Sequence, residues 1–171
     1  MTSISMYQAS APRFANTLNS LSAILDKARA HCEAKKIDPL ALTSFRLFPD
    51  MFPLSRQIQI MTDTAKGAIA RLAGIEIPKY EDTEQTFAEL KARMMKTADF
   101  VMSVPAAKID GAADKDIAMK IAGKDTVLKG SQYLLGHAYP NFYFHSTTAY
   151  NILRHNGIEV GKRDFLGAVV L

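Results

Sequence analysis

The feature that most constrains the fold is an uncharged stretch from Gln132 to Leu153, which contains no Asp, Glu, Lys or Arg. Those four residue types make up 22% of the whole chain. A helix that is uncharged on every side has to be covered over most of its surface. We therefore expect this stretch to form the inner helix of a bundle or a contact between subunits.

The composition argues against a membrane-spanning segment and against nucleic-acid binding. His137, Asn141, His145 and Asn151 interrupt the uncharged stretch, whereas a spanning helix needs about 20 predominantly apolar residues. The net charge of +4 comes from scattered Lys and Arg, without the basic stripe typical of nucleic-acid binding. The start of the chain has no secretory pattern, and Cys32 is the only cysteine. We therefore expect a cytoplasmic protein.

Apolar spacing predicts three helices in the first part of the chain. Steps of four and three residues, which mark one helical face, begin at Phe14, Leu54 and Phe87. Ser10 is the predicted cap of the first helix, and Asp50 is the predicted cap of the second. Each helix is long enough to contribute to a bundle.

A small hairpin and a fourth helix are predicted to follow. Apolar and polar residues alternate between Asp116 and Lys129, as in paired strands. The fourth helix is expected to run from Ser131 to the Asn-Gly pair near its end. Pro140 lies inside it, and Gly136 leaves room for the backbone to bend, so we expect a kink rather than a break. Residues 1–171 should form one all-α domain with this hairpin between helices 3 and 4.

The fourth helix also offers a candidate site, because Asn141 and His145 lie four residues apart on one face. His137 and His145 would be about 12 Å apart along a helix, too far to share one metal ion. We expect His145 and Asn141 to bond to each other or to an amide of the second helix. Gln57 can face inward from that helix, and with Tyr143 it completes a predicted polar pocket for a small molecule.

Two longer segments are distinctive: PDMFPLSRQIQIMTDTAKGAIARLAG and NFYFHSTTAYNILRHNGIEVGKRDFLG. They resemble a bacterial family of unknown function in the DinB/YfiT-like superfamily, whose members are regarded as metalloenzymes, and the likeness covers nearly the whole chain. The resemblance implies an up-down-down-up four-helix bundle and a homodimer. Typical metal-binding members hold a divalent ion with one His from the second helix and a His-x-x-x-His pair from the fourth.

The resemblance also implies where a metal would lie in this chain. Aligned on ILRHNG, His145 takes the place of the second paired histidine and Asn141 takes the place of the first. Gln57 or a neighbour stands where the second-helix histidine would be. Because amides are weak neutral ligands, we expect no tightly bound cofactor. Zinc or nickel held by His145, Asn141 and Gln57 is the alternative.

The sequence leaves three functions open and does not say whether the chain is an enzyme. The first is small-molecule binding, or an unassigned enzymatic role, in a polar pocket without a tightly bound metal. The second is a divalent-metal-dependent transferase or hydrolase of the DinB/YfiT type. The third is a non-enzymatic homodimeric structural or stress-associated protein. No phosphate-binding glycine loop or nucleophile elbow is present in the sequence to decide between them.

Overall fold

The computed structural model describes residues 4–168, which are mostly helical with one two-stranded antiparallel sheet. This confirms the predicted helical fold with a small hairpin. The helices and strands of the described part are α1 (Met6–Lys35), α2 (Pro39–Thr43), α3 (Leu54–Ala73), α4 (Phe87–Ser103), α5 (Ala106–Ile109), a 3-10 turn (Asp110–Ala112), β1 (Asp116–Ile121), β2 (Lys124–Lys129), α6 (Gly130–Tyr133), a π-helical segment (Leu134–Ala138), α7 (Tyr139–His155) and α8 (Lys162–Leu166).

The first helix begins earlier than its apolar spacing indicates. Ser5 accepts a hydrogen bond from the backbone of Gln8, whose side chain accepts one from the Ser5 backbone N–H. The predicted cap, Ser10, lies inside the helix and donates to the carbonyl four residues before it. Pro12 is tolerated because the carbonyl it leaves without a partner, that of Gln8, accepts from Arg13 Nε at 3.3 Å. The prediction that Ser10 caps α1 was therefore wrong.

The start of α3, the end of α3 and the start of α4 are each stabilised differently. Pro53, not the predicted Asp50, precedes α3 and makes no side-chain cap. Gly74 ends α3 at a φ of 69°, because this left-handed conformation suits glycine. Thr86 and Glu89 form a reciprocal capping box at the start of α4.

The predicted hairpin is confirmed, and a two-residue turn joins its strands. The register pairs Ile121 with Lys124. Ala122 and Gly123 therefore form the turn, with φ values of 49° and 80°. Positive φ at both central positions is the geometry of the two-residue turn that matches the twist of paired strands.

Pro140 is accommodated by a π-helical segment. In Leu134–Ala138 the turns are wider, and the first backbone N–H of α7 donates to the carbonyl five residues before it. Pro140 then falls in the first turn of α7, where a missing N–H costs little. The helical run thus continues through α6 and α7, as predicted, although Lys129 rather than Ser131 precedes it.

The four long helical segments pack in defined pairs. α1 packs mainly against α4, and α3 packs against α7 and α4. Lys91 near the start of α4 pairs with Asp26 in the second half of α1 at 2.6 Å. Arg93 bonds Thr62 of α3, so the long connection Gly74–Thr86 brings the start of α4 back beside the first half of α3.

The uncharged stretch is covered on one side only. Phe142 is fully buried, and its ring packs edge-on against Phe14 of α1 with centroids 4.7 Å apart. By contrast, Leu135 is 61% exposed and Phe144 is 58% exposed. The stretch therefore buries one face against other helices, and another face is exposed. No helix in residues 4–168 is long and apolar enough to span a membrane.

A candidate polar site between α3 and α7

A hydrogen-bonded pair joins the second and fourth long helices at the predicted site. His145 Nδ1 lies 2.7 Å from Gln57 Oε1, and the Gln57 side chain is buried while the imidazole is half-buried. Gln57 Nε2 donates to the Phe52 carbonyl at 3.0 Å. This contact agrees with the expectation that His145 bonds an amide of the second long helix, which is α3.

The Gln57 amide determines which imidazole nitrogen carries the proton. Because Nε2 of Gln57 donates to a carbonyl, Oε1 is the atom that faces His145. An amide oxygen can only accept, so His145 Nδ1 must be the donor. In the neutral ring, Nε2 of His145 then carries the lone pair. It forms no hydrogen bond with any residue in the described range 4–168.

The surroundings of His145 keep its ring neutral. Burial, followed by the nearby positive charge of Arg56, lowers the pKa of His145 below its ordinary value of 6.5. The segment from Gln132 to Leu153 contributes no charged side chain that would oppose this effect. At neutral pH the site therefore presents an imidazole that can accept a proton or a hydrogen bond.

Arg56 is held in place by side chains on both sides. Its Nη1 donates to Asp82 and, at 3.3 Å, to Gln59. Its guanidinium lies 6.0 Å from the centre of the Phe52 ring, the residue whose carbonyl binds Gln57. Arg56 and the Gln57–His145 pair thus share Phe52 as a common neighbour.

Asn141 is close in sequence but bonds elsewhere. Its Nδ2 donates to the His137 carbonyl at 2.7 Å, one helical turn earlier. His137 belongs to the π-helical segment Leu134–Ala138, so this hydrogen bond stabilises the irregular backbone before α7. Within residues 4–168 no hydrogen bond connects Asn141 with His145.

Tyr143 lies on another side of α7. Its hydroxyl is within hydrogen-bonding reach of Thr17 and near Arg13, both on α1. Its ring packs against Tyr139 and Phe142, and 37% of the residue is exposed. The structure therefore brings Gln57 and His145 together and places Tyr143 at a separate cavity beside α1.

A larger polar cluster adjoins this site and was missed by the sequence reasoning. Arg93 of α4, whose side chain is only 2% exposed, pairs with Asp63 at 2.8 Å, with Asp82 at 3.0 Å and with Glu84 at 3.0 Å. Its Nε donates to the Thr62 hydroxyl at 2.7 Å. Asp82 therefore links Arg93 to Arg56.

A sequence signal for this cluster does exist. Arg93 lies three residues after the buried Leu90 and one before the buried Met94, on the shoulder of the apolar stripe of α4. An arginine at that position has to find buried partners. Its carboxylate partners come from α3 and from the connection Gly74–Thr86, so their identity could not be read from helical spacing.

The donor set fits a metal ion poorly. Gln57 Oε1 and His145 Nδ1 already bond each other, and the Asn141 amide is engaged with a backbone carbonyl. Within residues 4–168, no three His, Cys, Asp or Glu side chains are grouped so that they could hold one ion. His145 Nε2 is therefore a single imidazole ligand, and the carboxamides expected to join it are weak ligands.

Comparisons with known proteins identify the fold and a family but not an activity. Residues 6–166 match the model of a domain of unknown function, DUF1993. The chain is also similar to a DinB family member protein from Shewanella denitrificans, known from a crystal structure, with 42% sequence identity and a TM-score of 0.90. That match covers 96% of this chain and 93% of the other. No curated protein matches.

Proposed function

The chain belongs to the DUF1993 family and is DinB-like, and on that premise we propose that it binds a small polar molecule at the polar site between α3 and α7. The observation that carries this proposal is the oriented, neutral His145. Gln57 fixes its tautomer through a 2.7 Å hydrogen bond, and the lone pair of Nε2 is left for a ligand.

The chemistry of this site is that of a hydrogen-bond acceptor or a base. A hydroxyl or N–H group of a ligand can donate to His145 Nε2. If that group is acidic enough, the imidazole can take its proton, with Gln57 holding the resulting ring by its other nitrogen. Such a step would make the site enzymatic, which is the unassigned enzymatic role that the proposal includes.

We propose that the site works without a tightly bound metal. Binding a metal at both Gln57 and His145 would require their mutual hydrogen bond to be broken. One imidazole with carboxamides makes a weak set of ligands for zinc or nickel. A divalent-metal-dependent transferase or hydrolase is the second candidate, and His145, Asn141 and Gln57 would be its ligands.

We also propose that the four long helical segments form one up-down-down-up bundle domain. Gln57 near the start of α3 meets His145 in α7, and Arg71 near its end meets Tyr133 of α6. This supports opposite directions for α3 and the α6–α7 run. Asp82 and Glu84, which come just before α4, contact Arg56 and Gln59 near the start of α3, and this supports a common direction for α3 and α4.

We propose that the protein forms a homodimer in which a second copy covers the exposed side of the uncharged stretch. Leu135 and Phe144 are exposed on it, and a second copy could cover them. Both are apolar and both lie in a helical run that carries no charge from Gln132 to Leu153. If the protein does no chemistry, such a dimer would serve the structural or stress-associated role that is the third candidate.

A binding screen on untagged, metal-free protein tests the proposed function. Small alcohols, amides and imides should include probes that shift the His145 ring signals in NMR spectra at pH 7. We expect His145→Gln to weaken binding of those probes by about tenfold or more, because a ligand proton loses its acceptor. His31→Gln, a change near the end of α1, should leave binding unchanged.

The screen also separates the two leading candidates. Binding that appears only after zinc or nickel is added, and that disappears in His145→Gln, would contradict the metal-free site. A stoichiometric metal in protein purified without a histidine tag would do the same. If no probe perturbs His145 with or without metal, the small-molecule proposal fails.

A further inference from the structure

A cavity lies between α4 and the connection Gly74–Thr86, and we call it the Tyr80 cavity. Its volume is about 490 Å³, within the range of small-molecule sites. Tyr80 and Glu81 of the connection form part of one wall, and Glu89 and Lys96 of α4 form part of the facing wall. The residues that line the cavity all belong to α4 and to this connection, and the structure describes both in full.

The two walls are fixed against each other and run in opposite directions. Arg93 Nη1 of α4 donates to the Glu81 carbonyl at 3.0 Å. The Tyr80 hydroxyl is within hydrogen-bonding reach of the Thr97 side chain, one helical turn after Arg93. Lys96 Nζ lies 4.4 Å from the centre of the Tyr80 ring. Earlier residues of the connection therefore meet later residues of α4.

One end of the Tyr80 cavity carries two lysines whose charges are not paired with acids. Lys79, next to Tyr80 in sequence, and Lys96, next to the Tyr80 ring in space, both line it. Within residues 4–168 the Lys79 side chain forms no hydrogen bond or ion pair, and the Lys96 ammonium group contacts only the Tyr80 ring. Both ammonium groups can therefore bind a carboxylate.

Acidic groups lie toward the other end of the cavity. Glu89 comes seven residues before Lys96, so about 10.5 Å separates the two positions along the axis of α4. Hydrogen bonds from the backbone of Gln85 and Thr86 lower the pKa of Glu89, so its carboxylate stays ionised. Glu81 lies between the two ends. Its carboxylate forms no hydrogen bond or ion pair with any residue in the described range 4–168.

The charges of the lining balance one another. Three cationic and three anionic side chains line the cavity: Lys79, Arg93, Lys96, Glu81, Glu84 and Glu89. Arg93 and Glu84 already pair with each other at 3.0 Å, and Ala92 and the Tyr80 ring add apolar surface. An ion of one sign would be repelled at one end, whereas a ligand with opposite charges at its two ends is attracted at both.

We propose that the Tyr80 cavity binds a small ω-amino acid, in which a short hydrocarbon chain separates the ammonium group from the carboxylate. The carboxylate lies between Lys79 and Lys96, and the ammonium group lies against Glu81. An α-amino acid carries both charges on one carbon, so it cannot reach both ends of the cavity. This site is separate from the His145 site and goes beyond the function proposed for it.

Titration of the full chain with 5-aminopentanoate at pH 7 tests this proposal. By calorimetry or NMR, 5-aminopentanoate should bind and shift the ring signals of Tyr80. Pentanoate and pentylamine each lack one of its charges and should bind about tenfold more weakly or worse, because a charged hydrogen bond is lost. Its isomer 2-aminopentanoate carries both charges at one end and should bind about tenfold more weakly for the same reason.

Two variants assign the two charges of the ligand to opposite ends of the cavity. Lys96→Gln should weaken binding of 5-aminopentanoate and pentanoate but not of pentylamine. Glu81→Gln should weaken binding of 5-aminopentanoate and pentylamine but not of pentanoate. Lys96 and Glu81 are both exposed, so these variants should fold normally. Lys108→Gln, an exposed change on α5, is the control and should leave all three affinities unchanged.

Three results would overturn the proposal. The first is no binding of 5-aminopentanoate, and the second is equal binding of 5-aminopentanoate and 2-aminopentanoate. The third is an effect of Lys96→Gln or Glu81→Gln no larger than that of Lys108→Gln.

Discussion

Replacing Gly130 with alanine should lower the free energy of unfolding by about 3 kcal/mol, because the new methyl group has no room. A Cβ atom there would lie 1.9 Å from the Ala112 carbonyl oxygen and 2.9 Å from its carbonyl carbon. Both are backbone atoms, which cannot swing aside as a side chain could. Gly130 is also fixed in place, since its N–H donates to the Lys115 carbonyl at 2.8 Å.

Gly136→Ala is the matched control for this change. Gly136 lies in the π-helical segment of the same helical run, and a methyl group added there would meet nothing within 4 Å outside its own local backbone. Alanine has the higher helix propensity, so this variant should be neutral or more stable by up to about 1 kcal/mol. Urea unfolding followed by circular dichroism measures both. A Gly130→Ala loss no larger than that of Gly136→Ala would contradict the close contact with Ala112.

Replacing Arg93 with alanine should also destabilise the protein by about 3 kcal/mol, because the acidic groups gathered around it lose their common partner. Arg93 is 2% exposed at its side chain, whereas Asp63 is 38% and Asp82 is 35% exposed. Water can therefore solvate part of those carboxylates after the change, which places the loss at the low end for a broken buried pair. Glu84, at 14% exposure, loses its cationic partner and keeps the Gln59 amide, which donates to it at 3.0 Å, so it contributes most to the loss.

An exposed arginine provides the comparison for Arg93. Arg29 pairs with Glu33 one turn away on α1 at 2.8 Å, and its side chain is 55% exposed. Arg29→Ala should change the free energy of unfolding by no more than about 0.5 kcal/mol. If Arg93→Ala proved as mild as Arg29→Ala, the cluster would contribute little to holding the connection Gly74–Thr86 against α3 and α4.

Helical periodicity predicted the long elements of this fold but not where they begin. The apolar stripe of α1 starts at Phe14, whereas the helix starts at Met6 and is capped by Ser5. The residues from 6 to 13 include only Met6 and Tyr7 as large apolar or aromatic side chains, so apolar spacing gives little signal there. Several Ser or Asp residues near the start of a helix can make the capping hydrogen bonds, and spacing does not show which of them does. For this reason the predictions of Ser10 and Asp50 as caps were wrong.

The candidate site was predictable only in part, for a related reason. The phase of Gln57 allowed it to face inward, and His145 was expected to bond either Asn141 or an amide of that helix; Gln57 and His145 do meet. Asn141 shares a face with His145 but bonds the backbone of the π-helical segment. Tyr143 points toward α1, and the partners of Arg93 come from distant segments. Spacing along one helix cannot show such contacts, since they depend on how the helices are arranged.

An NMR titration of the His145 ring nitrogens tests the central claim most directly. In untagged wild-type protein we expect the neutral ring to carry its proton on Nδ1, with a pKa below the ordinary 6.5. Arg56→Gln should raise that pKa, because a nearby positive charge is removed. A proton on Nε2 of the neutral ring, or a pKa above 6.5 in the wild type, would contradict an imidazole oriented by Gln57 and held neutral for a ligand.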